Sequence, residues 1–447
     1  MKKFTLKSFG VLLFALVLTF AACRKDDEIF TSKPSELYDA QLATDWFDML
    51  RVVTNKTAGF SPPVASRAFG YAGVVLYETI VPGMSRYQSL AAQLTQMPAM
   101  TEPETGKEYN WAVAANAAMG YTARNFYATM PADQLKAVQT LEDATLVRVQ
   151  GTSSQEVVDR SKDWGIFIAK SIFEWSKTDG GHEGYAKNFP PTYTPPVGSG
   201  KWASTAPAFQ KAMQPFWGSN RTFIPQCAAN TQPEAPTAYA ELPTSPFNVA
   251  ALEVFTTVNN ASAEQKIIAK YWSDDPGVGG TPPGHSVSIA TQILKTENWN
   301  LAKAAETYAK VGIAVSDAFV SCWRCKYEHN YLRPITYIRA KFDANWLSPL
   351  ATPPFPEYTS GHSVQGSATA KVLSDLFGYN YSFIDKTHES RSDIDGRPRQ
   401  YKSFNDMAAE AAISRLYGGI HYREGIEKGV AQGLKVGEEV VKLRFKK

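Results

Sequence analysis

Apolar residues recur at spacings of three and four along most of the chain, and strict alternation of apolar and polar residues is scarce. That pattern predicts helices over 65–80, 106–127 and 155–177. It returns over 247–258, 263–272, 286–295, 299–328, 361–377, 405–417 and 424–443. The stretch ASRAFGYAGVVLYETI, 65–80, is crowded with small residues, as a tightly packed inner helix would be. From 178 to 245 the periodicity is lost among Gly, Pro, Ser and Thr with scattered aromatics. This reads as a long irregular connection lying over the surface. The economical fold class is all-α, built from helical bundles. The organisation it implies is an N-terminal bundle with its long connection over 41–245 and a second bundle over 246–447.

The first residues follow another pattern. MKKFTLKS is basic, and FGVLLFALVLTFAA, 9–22, is an apolar run of signal-peptide length, too short for a comfortable membrane span. Phe20, Ala21 and Ala22 lead into Cys23, a sequence that resembles a bacterial lipobox. The expectation is a signal peptide over 1–22, lipid on Cys23 and a polar, flexible tether over 23–40. The run CRKDDE resembles the acidic signal that sends some lipoproteins to the cell surface. These features predict an exported lipoprotein anchored to the outer membrane, exposed at the surface if that signal is read. Contact with the membrane is then through the lipid alone.

Composition narrows the function. The 447 residues are 44% hydrophobic, enough for a sizeable core, and 46 basic against 43 acidic residues leave a net charge of +3. That balance argues against a nucleic-acid partner. After Cys23 come Cys227, Cys322 and Cys325, an odd number that leaves at least one without a partner in the chain. CWRC, 322–325, sits late in a predicted helix, so a thiolate there lacks the helix N-terminus that lowers its pKa.

The chemistry gathers in the second half. Lys326 ends a long predicted helix, and Arg333 follows in KYEHNYLRP. Ser360, Gly361 and His362 follow in FPEYTSGHS, at the mouth of the helix 361–377. Arg415 and His421 lie in SRLYGGIHYR. One Lys, two Arg and two His near helix ends suit a multiply charged oxyanion. Guanidinium forks and an ammonium neutralise its oxygens. Helix-start N–H groups donate to them, and a glycine allows close approach. The two imidazoles are then free for chemistry, one as ligand or nucleophile and one as acid–base.

These three segments resemble the K-x6-R-P, P-S-G-H and S-R-x5-H motifs of the vanadium-dependent haloperoxidase and type 2 phosphatidic acid phosphatase superfamily. TPPGHS, 281–286, and the lead-in to Lys326 are similar to its secreted bacterial haloperoxidase-like branch. The resemblance covers about 245–435 and implies the helical bundles of that family. By position it implies that Lys326, Arg333 and Arg415 hold the equatorial oxygens, with Ser360 and the Gly361 amide donating to them. His421 is then the axial ligand to vanadium, or the phosphate nucleophile, and His362 the acid–base. The implied cofactor is vanadate, or phosphate in a phosphatase, with no heme and no flavin. Homodimers are common in the family, but the sequence marks no interface.

Two positions depart from the family. Thr359 stands where Pro is usual, and Gly425 stands where the family places an Asp that orients the third-motif histidine. Glu424, one step early, is the nearest candidate, and another carboxylate is the alternative. Phe355, seven residues before His362, resembles the halide pocket of chloride-oxidising members; a packing Phe is the other reading. His285 reads as lining the pocket entrance or as a satisfied loop residue. His388 reads as solvated, and Asp274 and Asp275 as a turn or cap. Three functions fit: a haloperoxidase acting on peroxide and halide, a soluble acid phosphatase acting on phosphomonoesters through a phosphohistidine, and a non-catalytic surface lipoprotein.

Overall fold

The computed structural model describes residues 32–275, 277 and 280–447; the expected signal peptide, Cys23 and the first half of the tether lie outside them. The last tether residues are docked. Ser35 Oγ donates to the Ile80 carbonyl at 3.0 Å, and the Ala40 N–H to that of Trp299 at 3.0 Å.

The longer helices of the first half are α1 (Gln41–Lys56), α2 (Pro62–Ile80), α3 (Trp111–Phe126), α4 (Ala132–Gln150) and α5 (Gln155–Ser176). Those of the second half are α6 (Pro246–Asn259), α7 (Ala263–Tyr271), α8 (Pro282–Thr296), α9 (Leu301–His329), α10 (Pro334–Lys341), α11 (Gly361–Phe377), α12 (Phe404–Tyr417) and α13 (Arg423–Val441). The all-α reading holds. Strands β1 (Phe383–Asp385) and β2 (Arg399–Tyr401) form a small antiparallel ribbon that pairs Phe383 with Tyr401 and Asp385 with Arg399.

Local chemistry sets the boundaries. Asn110 accepts from the Val113 N–H at 3.1 Å, so α3 starts at Trp111 and not at 106. Thr281 caps α8 through the Gly284 N–H, and prolines fill the first turn, which moves its start ahead of 286. Helix α4 gives almost no apolar stripe to read, because only Val138 and Thr145 of its residues are buried.

Small residues let the helices touch. A Cβ added to Gly73 on α2 would lie 2.4 Å from the Tyr308 carbonyl of α9, and one on Gly312 of α9 would lie 2.6 Å from that of Phe69. That contact explains the small-residue run at 65–80. It also carries one continuous core from the first half into the second. Similarly, Gly429 and Gly433 seat α13 on α11. The connection 178–245 is irregular, but it does not simply lie over the surface. Trp202, Trp217, Phe223 and Cys227 are buried, and Asp317 of α9 accepts from the N–H groups of Phe223 at 2.7 Å and Ile224 at 2.9 Å. Its aromatic residues anchor it.

Candidate active site

The last turn of α9 delivers Lys326, and Asn330 in the left-handed region (φ 48°) ends that helix. Arg333 follows at the N-cap position of α10. The loop 355–360 runs into α11, capped by Ser360, which puts Gly361 and His362 in the first turn. Arg415 lies in the last turn of α12, and a left-handed Gly419 (φ 72°) turns the chain so that His421 enters the same space. Segments far apart in sequence thus bring the predicted oxyanion-site residues to one region, with Glu424 outside it.

Lys326 is fully buried. Its ammonium donates to the carbonyls of Pro356 and Glu357, each at 3.0 Å, and to that of Thr359. It therefore pins the 355–360 loop as well as supplying charge. Arg333 is held by Nε to the Phe355 carbonyl at 2.9 Å and by one terminal nitrogen to the Ile420 carbonyl at 2.7 Å; its other terminal nitrogen is buried with no partner. Arg415 donates from Nε to Ser414 Oγ at 2.9 Å and from a terminal nitrogen to the Trp272 carbonyl at 2.6 Å. The Ser360 N–H donates to the Gly425 carbonyl at 2.9 Å, which ties α11 to α13.

His421 has one ring nitrogen, Nδ1, 2.7 Å from Glu357 Oε1. Arg333 donates toward the other, Nε2, at 3.2 Å. Donation from Nδ1–H to the carboxylate leaves Nε2 as the lone-pair nitrogen. The His362 ring hydrogen-bonds the Trp272 carbonyl, and its Nε2 is buried without a hydrogen-bond partner. Glu424 does not serve His421. It sits at the outer start of α13 and accepts from the Thr237 N–H at 3.0 Å, fastening the irregular connection. The carboxylate that reaches His421 is Glu357. Its only signal in the sequence was a place within the FPEYTSGHS motif.

Burial sets the protonation states. It pushes Lys326 down to about 8 and both Arg333 and Arg415 down to about 10. Burial and the neighbouring cations, Arg333 for His421 and Arg415 for His362, hold both histidines well below the usual imidazole range. Both are neutral at pH 7. Burial raises the Glu357 carboxyl to about 7, against the pull of Arg333 and Lys326.

Of these groups, His362, Arg415 and His421 border a cavity of about 270 Å³, walled on its apolar side by Trp323, Phe355 and Phe319. Phe355 packs on Trp323 at 4.9 Å between ring centres, with Lys326 Nζ and the Arg333 guanidinium each 5.0 Å from its centre. Phe355 thus packs on Trp323 and also lines the cavity.

Behind His362 lies a layer that the sequence did not reveal. Asp274 Oδ2 is 3.9 Å from His362 Nε2. Asp274 Oδ1 is also 2.9 Å from His285 Nδ1 and 3.1 Å from His388 Nε2. His285 Nε2 in turn lies 2.7 Å from Asp385 Oδ2, and Trp272 stacks on its ring at 4.4 Å. His388 is fully buried, not solvated, because β1 and the following turn fold it against Asp274. Asp274, His285 and His388 bring three metal-ligating atoms within 4.8 Å of one another. Both ring nitrogens of His285, however, already face carboxylates. Cys227, Cys322 and Cys325 are buried free thiols, and burial pushes Cys322 and Cys325 up, away from the thiolate that a redox pair needs.

An unpartnered buried guanidinium nitrogen, a His421 Nε2 lone pair approached only by Arg333 and a capped helix start, set among three buried cations, suit a tetrahedral oxyanion. The residues fit vanadate on that ground. Fold and site together define a helical-bundle protein with a buried cationic pocket suited to an oxyanion. A family model for the VCPO second helical-bundle domain matches residues 306–446. Over nearly the whole length the chain is similar to a bacterial vanadium-dependent iodoperoxidase of known structure: identity is 35%, coverage is 93% of this chain and 99% of that one, and the TM-score is 0.82. The holo form of a bacterial vanadium-dependent chloroperoxidase shares the fold at 16% identity, with a TM-score of 0.65 over 95% of this chain and 97% of that one. The vanadium chloroperoxidase of Curvularia inaequalis is 25% identical over 212 residues, which cover 34% of this chain and 35% of that protein, so only about a third of that relative's length is spanned. The chain belongs to the vanadium-dependent haloperoxidase and type 2 phosphatidic acid phosphatase superfamily.

Proposed function

We propose that the protein is a vanadate-dependent haloperoxidase, with iodide as the halide to test first because the 35%-identical relative is named an iodoperoxidase. The observation that carries this reading is His421: its Nδ1 is tied to Glu357, its Nε2 keeps the lone pair and is approached by Arg333, and its side chain lines the cavity. Arg333, Arg415 and Lys326 would bind and neutralise the oxyanion, and His421 Nε2 would ligate it. Vanadate bound there supplies a Lewis acid that activates hydrogen peroxide toward halide. His362, neutral at pH 7 and set at the start of α11, takes and returns the proton at Nε2. The reaction balances as hydrogen peroxide, halide and one proton giving hypohalous acid and water. The apolar wall of Trp323, Phe355 and Phe319 keeps part of the pocket dry.

The test compares orthovanadate-loaded and vanadate-free protein for peroxide-dependent oxidation of iodide and bromide, beside hydrolysis of an aryl phosphate. Halide oxidation that requires vanadate supports the reading. Phosphate release without halide oxidation would make the protein a phosphohistidine phosphatase, and silence in both assays would make it a binding protein. We also propose export as a lipoprotein anchored at Cys23, which metabolic labelling with palmitate, compared with Cys23→Ala, would test.

A further inference from the structure

Glu357 is buried and pinned at both ends. Its backbone N–H donates to the Tyr331 carbonyl at 3.0 Å, and its own carbonyl accepts from Lys326 Nζ at 3.0 Å. Its Oε1 accepts from His421 Nδ1 at 2.7 Å and from the Tyr422 N–H at 3.1 Å. The room for this carboxylate comes from across the site. A Cβ added to Gly425, in the first turn of α13, would lie 2.4 Å from Glu357 Oε1, 2.8 Å from Oε2 and 3.0 Å from Cδ. Glu357 and any side chain at 425 therefore compete for one space, and that space abuts His421 Nδ1.

We propose that Glu357 is the positioning residue that fixes the tautomer and aim of His421, and that Glu357 and Gly425 are an exchangeable pair. A carboxylate delivered to this space from either position performs the same task. The proposal rests on the reading of His421 as the oxyanion ligand. A ligating histidine needs its distal N–H held by an acceptor, so that the nearer nitrogen keeps its lone pair and direction. Among the described residues Glu357 is the carboxylate on His421 Nδ1, and both oxygens of the neighbouring Glu424 are turned to Thr237.

The test uses the folded chain from residue 24 with Glu357→Gln, Gly425→Asp and the double variant Glu357→Gly/Gly425→Asp. Orthovanadate affinity is measured by calorimetry, and the His421 tautomer by nitrogen NMR of the ring. Glu357→Gln keeps the shape and loses the charge; its vanadate affinity should fall about tenfold or more, with a mixed His421 tautomer. Gly425→Asp alone, with two carboxylates in one space, should bind worse than the double variant. The double variant should recover affinity and the Nδ1–H tautomer. If Glu357→Gln keeps both the wild-type tautomer and the wild-type affinity, losing only thermal stability, Glu357 is merely structural and the proposal is overturned. If the wild type does not bind vanadate, the functional reading fails, while the tautomer comparison still decides the role of Glu357.

Discussion

The Asp274 carboxylate lies 2.9 Å from His285 Nδ1, and the opposite nitrogen of the same ring lies 2.7 Å from Asp385 Oδ2. A histidine clamped between two buried carboxylates is held as an imidazolium, and the two acids raise it to about 10 against the cost of burial. His285 therefore closes the charge of the layer behind His362. Replacing it with Gln should cost about 3–5 kcal/mol at pH 7, because two carboxylates lose their buried cation. The raised pKa sets the sign. The His285 contribution is fully present below the unfolded value near 6.5 and is lost as pH rises toward about 10. The carboxylates of Asp274 and Asp385 are held low by the same ring, so their contribution is lost on acidification below the usual carboxylate range. Urea unfolding from pH 5 to pH 10 should show a wild-type alkaline decline that is much shallower in His285→Gln. Parallel curves would remove the clamp from the account.

Lys326 predicts a second pH dependence, in binding. Burial lowers its ammonium to about 8, so the free site loses a positive charge as pH rises through that value. An oxyanion favours the charged lysine, and affinity should therefore fall above pH 8. Tungstate suits the measurement because its own charge stays constant over that range. Calorimetry from pH 6 to pH 10 should show the decline in the wild type and a weaker, flatter profile in Lys326→Met. A decline of equal shape in both would assign the effect to another group.

Gly433 predicts a mechanical dependence. Its missing Cβ would lie 2.1 Å from the Val364 carbonyl, one turn into the helix that begins with Gly361 and His362. Gly433→Ala should push α13 off α11 and cost about 1–3 kcal/mol, as overpacking does. Vanadate affinity should drop with it, since Ser360 on one helix is tied to Gly425 on the other. Thermal unfolding and calorimetry on the same sample check both effects.

Much of the site was legible because three short motifs each carry consecutive residues whose spacing survives folding. Lys326, Arg333, Ser360, Gly361, His362, Arg415 and His421 could be read in this way. What was not legible depends on pairs distant in sequence. Glu357 meets His421 across 64 residues, and His285 meets Asp385 across 100. Proximity in sequence misled for Glu424, which stands three residues from His421 yet faces Thr237. In the fold, helices with a buried stripe could be read. Helix α4, exposed on most of its surface, offered no period. The connection 178–245 hid its anchoring aromatics among turn residues.

In the proposed haloperoxidase His421 Nε2 would hold the vanadate that activates peroxide. The most direct measurement is the initial rate of peroxide-dependent iodide oxidation during an orthovanadate titration, for the wild type and His421→Ala side by side. Saturable, vanadate-dependent turnover is expected in the wild type, with a loss of at least about a hundredfold in His421→Ala, on the order of removing an essential ligand. Equal vanadate-dependent rates in the two proteins would contradict it.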